Sequence, residues 1–197
     1  MRSCAVQIVE YPHPSLRHKS KPVRRVDDQL KQIVREMFEL MYAAKGVGLA
    51  ANQVDLPFRL FVVNPEGDPA AAEEQVFINP VLSKGKGMAE AEEGCLSLPK
   101  LYGQVKRPER VTVDAYNLAG ERITAQLTDL PARIVQHEVD HLDGVLFIDR
   151  LSPTSQLAVR EELDEFESSY EQRRQAGEIP DADQIQRRLA EWEERYC

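Results

Sequence analysis

Cysteine is scarce in this chain. Only Cys4, Cys95 and Cys197 occur in 197 residues, two of them at the chain ends, so no disulfide framework staples the fold and the core must come from apolar burial. Long hydrophobic runs are missing too. None approaches the roughly 20 residues that span a bilayer, and the start, Met1 to Val6, lacks the apolar stretch of a signal peptide. These absences lead us to expect a cytoplasmic protein with no membrane contact. Basic charge is not in excess either. The net charge is −8; residues 157–197, with six Lys/Arg against twelve Asp/Glu, hold −6 of it and residues 1–156 only −2. That balance speaks against a broad nucleic-acid-binding surface, and no direct nucleic-acid binding is expected.

What is present suits one compact domain with an appendage. Residues 5–9 read as a short strand, ended by Tyr11-Pro12-His13-Pro14. His13 reads as structural, having no partner histidine at helical spacing. Leu30, Ile33, Val34, Met37, Leu40, Met41 and Ala44 recur at helical spacing, which predicts a helix over 27–44 with Asp27 as N-cap. Its methionines are core filler. Gly46 to Gln53 reads as a tight turn and a packed helix start; no Lys-Ser/Thr pair follows the glycines, so it is no phosphate cradle. Strands are predicted over 59–63, 75–79, 103–107, 110–117 and 121–128, with a turn at Asn79-Pro80 and a short strand or extended run over 145–148. Ser152-Pro153 opens a helix, and Asp181 with Gln184 caps another. The expected division is a single catalytic domain over 1–152 and a charged C-terminal helical extension over 153–197.

The chemistry-bearing stretch is Gln136-His137-Glu138-Val139-Asp140-His141. Asp129 as N-cap, Pro131 in the first turn and Gly144 at the end predict a helix around it. Histidines at i and i+4 share one helix face and reach one metal ion; Glu138, turned about a quarter circle away, can touch a metal-bound water without ligating. An open catalytic site usually takes three protein ligands. Cys95, beside Gly94 in a turn-rich segment, is the candidate third, held as a thiolate. Glu138 is then the candidate acid/base, and the Gln53 side chain and Leu96 N–H the candidate oxyanion donors.

Three segments, Gly46-Val47-Gly48-Leu49-Ala50-Ala51-Asn52-Gln53, Glu93-Gly94-Cys95-Leu96-Ser97 and Gln136-His137-Glu138-Val139-Asp140-His141, resemble in order and spacing the signature motifs of the peptide deformylase family. The resemblance spans about residues 5–170. It implies an α+β fold, with antiparallel strands packed around the metal-binding helix; the residue pattern adds an N-terminal helix and a C-terminal helical extension. It implies metal-dependent removal of the N-formyl group from formyl-methionyl nascent chains. Cys95, His137 and His141 would be the ligands, Glu138 the acid/base and Gln53 the oxyanion donor. Val47, Gly48, Gly94 and Ile134 would bind substrate, mostly at its methionine side chain. The implied metal is one divalent ion, Fe(II), with Ni, Co or Zn as substitutes.

Two features depart from many bacterial members. Where they carry an arginine after the cysteine motif, this chain has Tyr102, and Glu93 to Tyr170 looks closer to the plant-organelle subgroup. Some members have a basic C-terminal helix thought to meet the ribosome; here the tail is acidic, so ribosome proximity does not bring a basic-helix RNA contact with it. Two rival readings follow from the residues. A zinc endopeptidase would use Glu161 or Glu162 as third ligand, since Phe147 stands where another variety has histidine. A structural metal site would need a fourth ligand, and none has matching spacing.

Overall fold

Leu60–Val63 (β2) is buried at every position. Successive strand residues point to opposite faces, so an unbroken apolar run implies cover on both sides. The computed structural model, which describes residues 6–71 and 73–197, provides it. Leu60 and Val62 join Leu30, Ile33, Val34, Met37 and Met41 of the helix α1 (Asp28–Ala43). Phe61 and Val63 join Ile134, Val135, Val139 and Leu142 of the helix α2 (Asp129–Leu142). The metal motif thus lies on a helix laid across one sheet face.

The sheet is antiparallel, in the order β1 (Gly48–Ala50), β2, β3 (Gln75–Lys86), β6 (Arg110–Tyr116), β7 (Arg122–Thr128). A separate hairpin pairs β4 (Ala89–Cys95) with β5 (Leu98–Arg107). Its Leu98, Leu101 and Val105 pack with Leu146, Phe147, Ile148 and Leu151 in a third apolar cluster. The tail forms α3 (Pro153–Ala158), α4 (Arg160–Gln175) and α5 (Ala182–Tyr196). The chain is α+β, as expected. No helix among the described residues is long and apolar enough to cross a membrane.

Local chemistry explains three helix starts. Asp27 accepts from Leu30 N at 2.9 Å and caps α1, a bond worth about 1 kcal/mol. Ser152 and Asp181 cap α3 and α5 as expected, the latter in a capping box with Gln184.

Several expectations need correction. Ala5 lies outside the described residues, and 6–10 form no strand; Val9 N donates to Gln53 O at 2.8 Å, but Gln53 lies in a 3-10 turn over Ala51–Val54, which offers no ladder. Asn79-Pro80 is a bulge within β3 rather than its end. Asn79, at φ 53, bonds Val23 N and O at 2.8 Å each, replacing the lost ladder with side-chain bonds. Asp129 is not the N-cap of α2; Thr128 is, without a side-chain cap bond. Phe147–Arg150 is a 3-10 turn rather than a strand, because Leu146 N bonds Asp149 Oδ2 at 2.8 Å and closes the chain locally. Gly48–Ala50, which begins on a glycine, is a strand, since its edge position beside β2 supplies partners that sequence pattern does not reveal.

Candidate metal centre

His137 and His141 leave α2 on one face, and their Nε2 atoms stand 3.1 Å apart. Cys95, at the end of β4, brings its Sγ to 3.2 Å from His141 Nε2. The three donor atoms lie within 4.8 Å of one another. Two imidazoles and a thiol converging this way match the donor set of an open metal site and could hold an ion. Glu161 and Glu162 sit in the exposed first turn of α4 and are not part of this cluster.

A buried charge network orients the histidines. His137 Nδ1 faces Glu93 Oε2 at 3.1 Å. Burial tends to raise the Glu93 pKa, but bonds from Arg107 and His137 outweigh it and hold the carboxyl well below the usual range. Glu93 is therefore an anion that accepts from Nδ1–H, which aims Nε2 of His137 at the cluster. Arg107 grips Glu93 through Nε at 2.7 Å and Nη2 at 2.8 Å, and reaches Asp140 at 2.6 Å. Arg150 also binds Asp140. Asn52 Nδ2 donates to the carbonyl of His141. The two imidazoles, too close to be charged together, are driven apart. Burial tends to lower His137, but bonds to Cys95 and Glu93 outweigh it and lift that ring to about 10. Burial and the neighbouring His137 push His141 well below its ordinary value.

Glu138 stands beside the cluster without joining it. It is 4 % exposed and its Oε2 has no hydrogen-bond partner; burial pushes the carboxyl up to about 7. A Cβ at Gly48 would fall on Glu138 Oε1, so only glycine leaves the carboxylate room. Gln53 is held by Ala50 N, which donates to its Oε1 at 2.9 Å. That points its Nε2 at Ser97 Oγ, 3.2 Å away, and at Cys95 Sγ, 3.4 Å away.

A cavity of about 560 Å³ opens onto this cluster. Val47, Gly48, Gln53, Gly94, Cys95, Leu96, Tyr102, Ile134, His137 and Glu138 all line it; His141 lies at 1 % exposure behind them. The exposed Tyr102 ring covers Gly94, where a Cβ would meet Cε1 at 2.7 Å. His13 is away from the site, buried and bonded to Ser15 Oγ at 2.8 Å. Sequence reasoning missed Glu93, Arg107, Arg133, Asp140 and Asn52. Asn52, Glu93 and Asp140 lie inside the motif segments but had no role there, and pairing the charges requires knowing that β4, β5 and α2 meet.

Comparison with known proteins agrees with this geometry. The sequence matches the polypeptide deformylase family over residues 5–157. A peptide deformylase of Rhodopirellula baltica is 48% identical over 191 residues, 97% of this chain and 95% of the relative. The chloroplastic/mitochondrial peptide deformylase 1B of Arabidopsis thaliana is 46% identical over 169 residues, 85% of this chain and 62% of the longer plant protein. The crystal structure of the Arabidopsis enzyme with an inhibitor superposes with a TM-score of 0.82, covering 85% of this chain and 93% of that one. With its fold, its Cys-His-His cluster and most of its length matching, this chain belongs to the polypeptide deformylase family.

Proposed function

We propose that Cys95, His137 and His141 hold the divalent ion with which this deformylase removes the N-formyl group from formyl-methionyl nascent chains, releasing formate. The carrying observation is the convergence of those three donor atoms within 4.8 Å at a cavity, beside a carboxylate whose Oε2 is buried and unpartnered. When bound, a divalent ion there supplies Lewis acidity and brings the pKa of a water toward ~7. Thiolate with imidazole suits Fe, Ni, Co and Zn alike; we take Fe(II) as the native ion, in line with the family.

Glu138 takes the proton from water at its free Oε2 and passes it to the departing amine. Its burial-raised carboxyl suits both directions of transfer near neutral pH. Gln53 Nε2 and the Leu96 N–H donate to the formyl oxygen as charge builds there. Gln53 needs no reorientation of its carbonyl end, because Ala50 N already fixes it. Val47, Gly94, Ile134 and the apolar side of His137 take the methionine side chain. Tyr102, at the cavity mouth, contacts the peptide where other members use arginine. In this reading residues 1–152 carry the chemistry, 153–197 form an extension without an RNA-binding role, and the enzyme works in the cytoplasm.

The test is formate release from formyl-Met-Ala-Ser, with formyl-Gly-Ala-Ser beside it. The methionine peptide should win in kcat/KM by more than tenfold, since burying such a side chain is worth ~1.5–3 kcal/mol. No formate from either would reject the function, and equal rates would reject the pocket.

A further inference from the structure

The proposed ligand set is split between two elements with no shared ladder. Cys95 ends β4, whereas His137 and His141 lie on α2; the β4–β5 hairpin is not hydrogen-bonded to the five-stranded sheet that supports α2. Two-residue links join the hairpin to β3 and β6 at the end remote from Cys95, so at the Cys95 end side-chain contacts hold thiol and imidazoles together. Arg133 lies one turn before His137 on the same helix face. Its Nη1 donates to Glu93 Oε1 at 2.6 Å and to the Val105 carbonyl at 2.9 Å; its Nη2 donates to the Ala89 carbonyl at 2.9 Å. These acceptors span both strands of the hairpin. Arg107 crosses the other way, from β5 to Asp140 on α2, and shares Glu93 with Arg133.

We propose that Arg133 is a positioning residue: it clasps the β4–β5 hairpin to α2 and so sets where Cys95 stands relative to His137 and His141. The planar guanidinium fork suits this role, because one side chain spans three acceptors that a lysine ammonium on a flexible stem cannot hold together. The competing role is substrate binding, since Arg133 also lines the cavity and the chain lacks the arginine other members place near the peptide. The contacts argue against that role. Its side chain is only 14% exposed, and both terminal nitrogens are already committed to protein oxygens. Arg107 binds both oxygens of Glu93 independently of Arg133, so the role of Arg133 is separable from the charge of Glu93.

This inference rests on Cys95 being a ligand, and its test separates the two. Wild type, Arg133→Met, Arg133→Lys and Cys95→Ala are loaded with Co(II). Thiolate-to-cobalt absorption, cobalt release to a chelator, and kcat and KM with formyl-Met-Ala-Ser are then measured. Arg133→Met should lose cobalt ~10–100-fold faster than wild type, the usual range for an outer partner of a metal site. Its thiolate band should weaken, and kcat should fall with KM within twofold. Arg133→Lys should recover only a minor part of each change. If Arg133→Met does not fold, Arg133→Lys, which keeps the buried charge, carries the test by itself. A wild-type band and release rate unchanged in the variant would overturn the clasp, as would a rise in KM alone or full rescue by lysine. A wild type without a thiolate band, or Cys95→Ala with one, would instead overturn the ligand assignment beneath it.

Discussion

At Glu138 an acidic group is buried next to the Cys-His-His cluster yet outside it, and Gly48 gives it room. Two expectations follow. Glu138→Gln should keep metal and fold while turnover falls ~10²–10⁴-fold; metal loss in that variant, measured by plasma emission, would show the residue to be a ligand. Gly48→Ala should displace the carboxylate, lowering kcat at least tenfold with the bound metal unchanged; wild-type kcat would remove the steric argument. Glu93 makes a pH prediction. Its folded pKa lies below its ordinary 4.5, so its contribution to stability is full above about pH 4.5 and is lost as pH falls toward the depressed folded value. In chelator-stripped protein, Glu93→Gln should therefore flatten the acid side of the stability curve. An unfolding free energy that falls below pH 4.5 as steeply as in wild type would contradict this. The pairing of Glu93 with Arg107 and Arg133 was not legible in the sequence, although Glu93 and Asp140 lie in the motif segments; the shared face of His137 and His141 was, because it depends on helical spacing alone.

At the scale of elements, α5 shows how far a tail can belong to a body. Ile185, Leu189 and Tyr196 are 0 %, 1 % and 1 % exposed. The Tyr196 ring sits 5.0 Å from that of Phe58, and its hydroxyl donates to Asp27, the cap of α1, at 2.8 Å. Tyr196→Phe should cost about 1 kcal/mol, the worth of one hydrogen bond. Tyr196→Ala should cost ~3–5 kcal/mol, the range for emptying a buried aromatic site. Denaturant unfolding checks both, and equal effects would mean that the ring contributes nothing. Formate release by the folded fraction should stay near wild type, since no proposed site residue lies beyond His141. The apolar period of α5 and α1 was plain in the sequence, because each helix carries its own pattern. The strand at Gly48–Ala50, the bulge at Asn79 and the turn at Phe147 were not, because partners distant in sequence decide them.

Over the whole molecule, the proposed metal centre joins two elements: a thiolate from the hairpin and two imidazoles from α2. The order of the three motifs made the family legible, while the juxtaposition of β4 with α2 needed the fold. The rival assignment, a zinc peptidase, would replace Cys95 by Glu161, which lies exposed on α4. An iron-loaded site with a thiolate ligand should also decay faster in air than under anaerobic conditions; equal lifetimes would count against Fe(II). The most direct measurement is metal content by plasma emission after dialysis of Cys95→Ala and Glu161→Ala against a mild chelator. We predict that Cys95→Ala loses most of its metal while Glu161→Ala retains it; retention by Cys95→Ala with loss by Glu161→Ala would contradict the account.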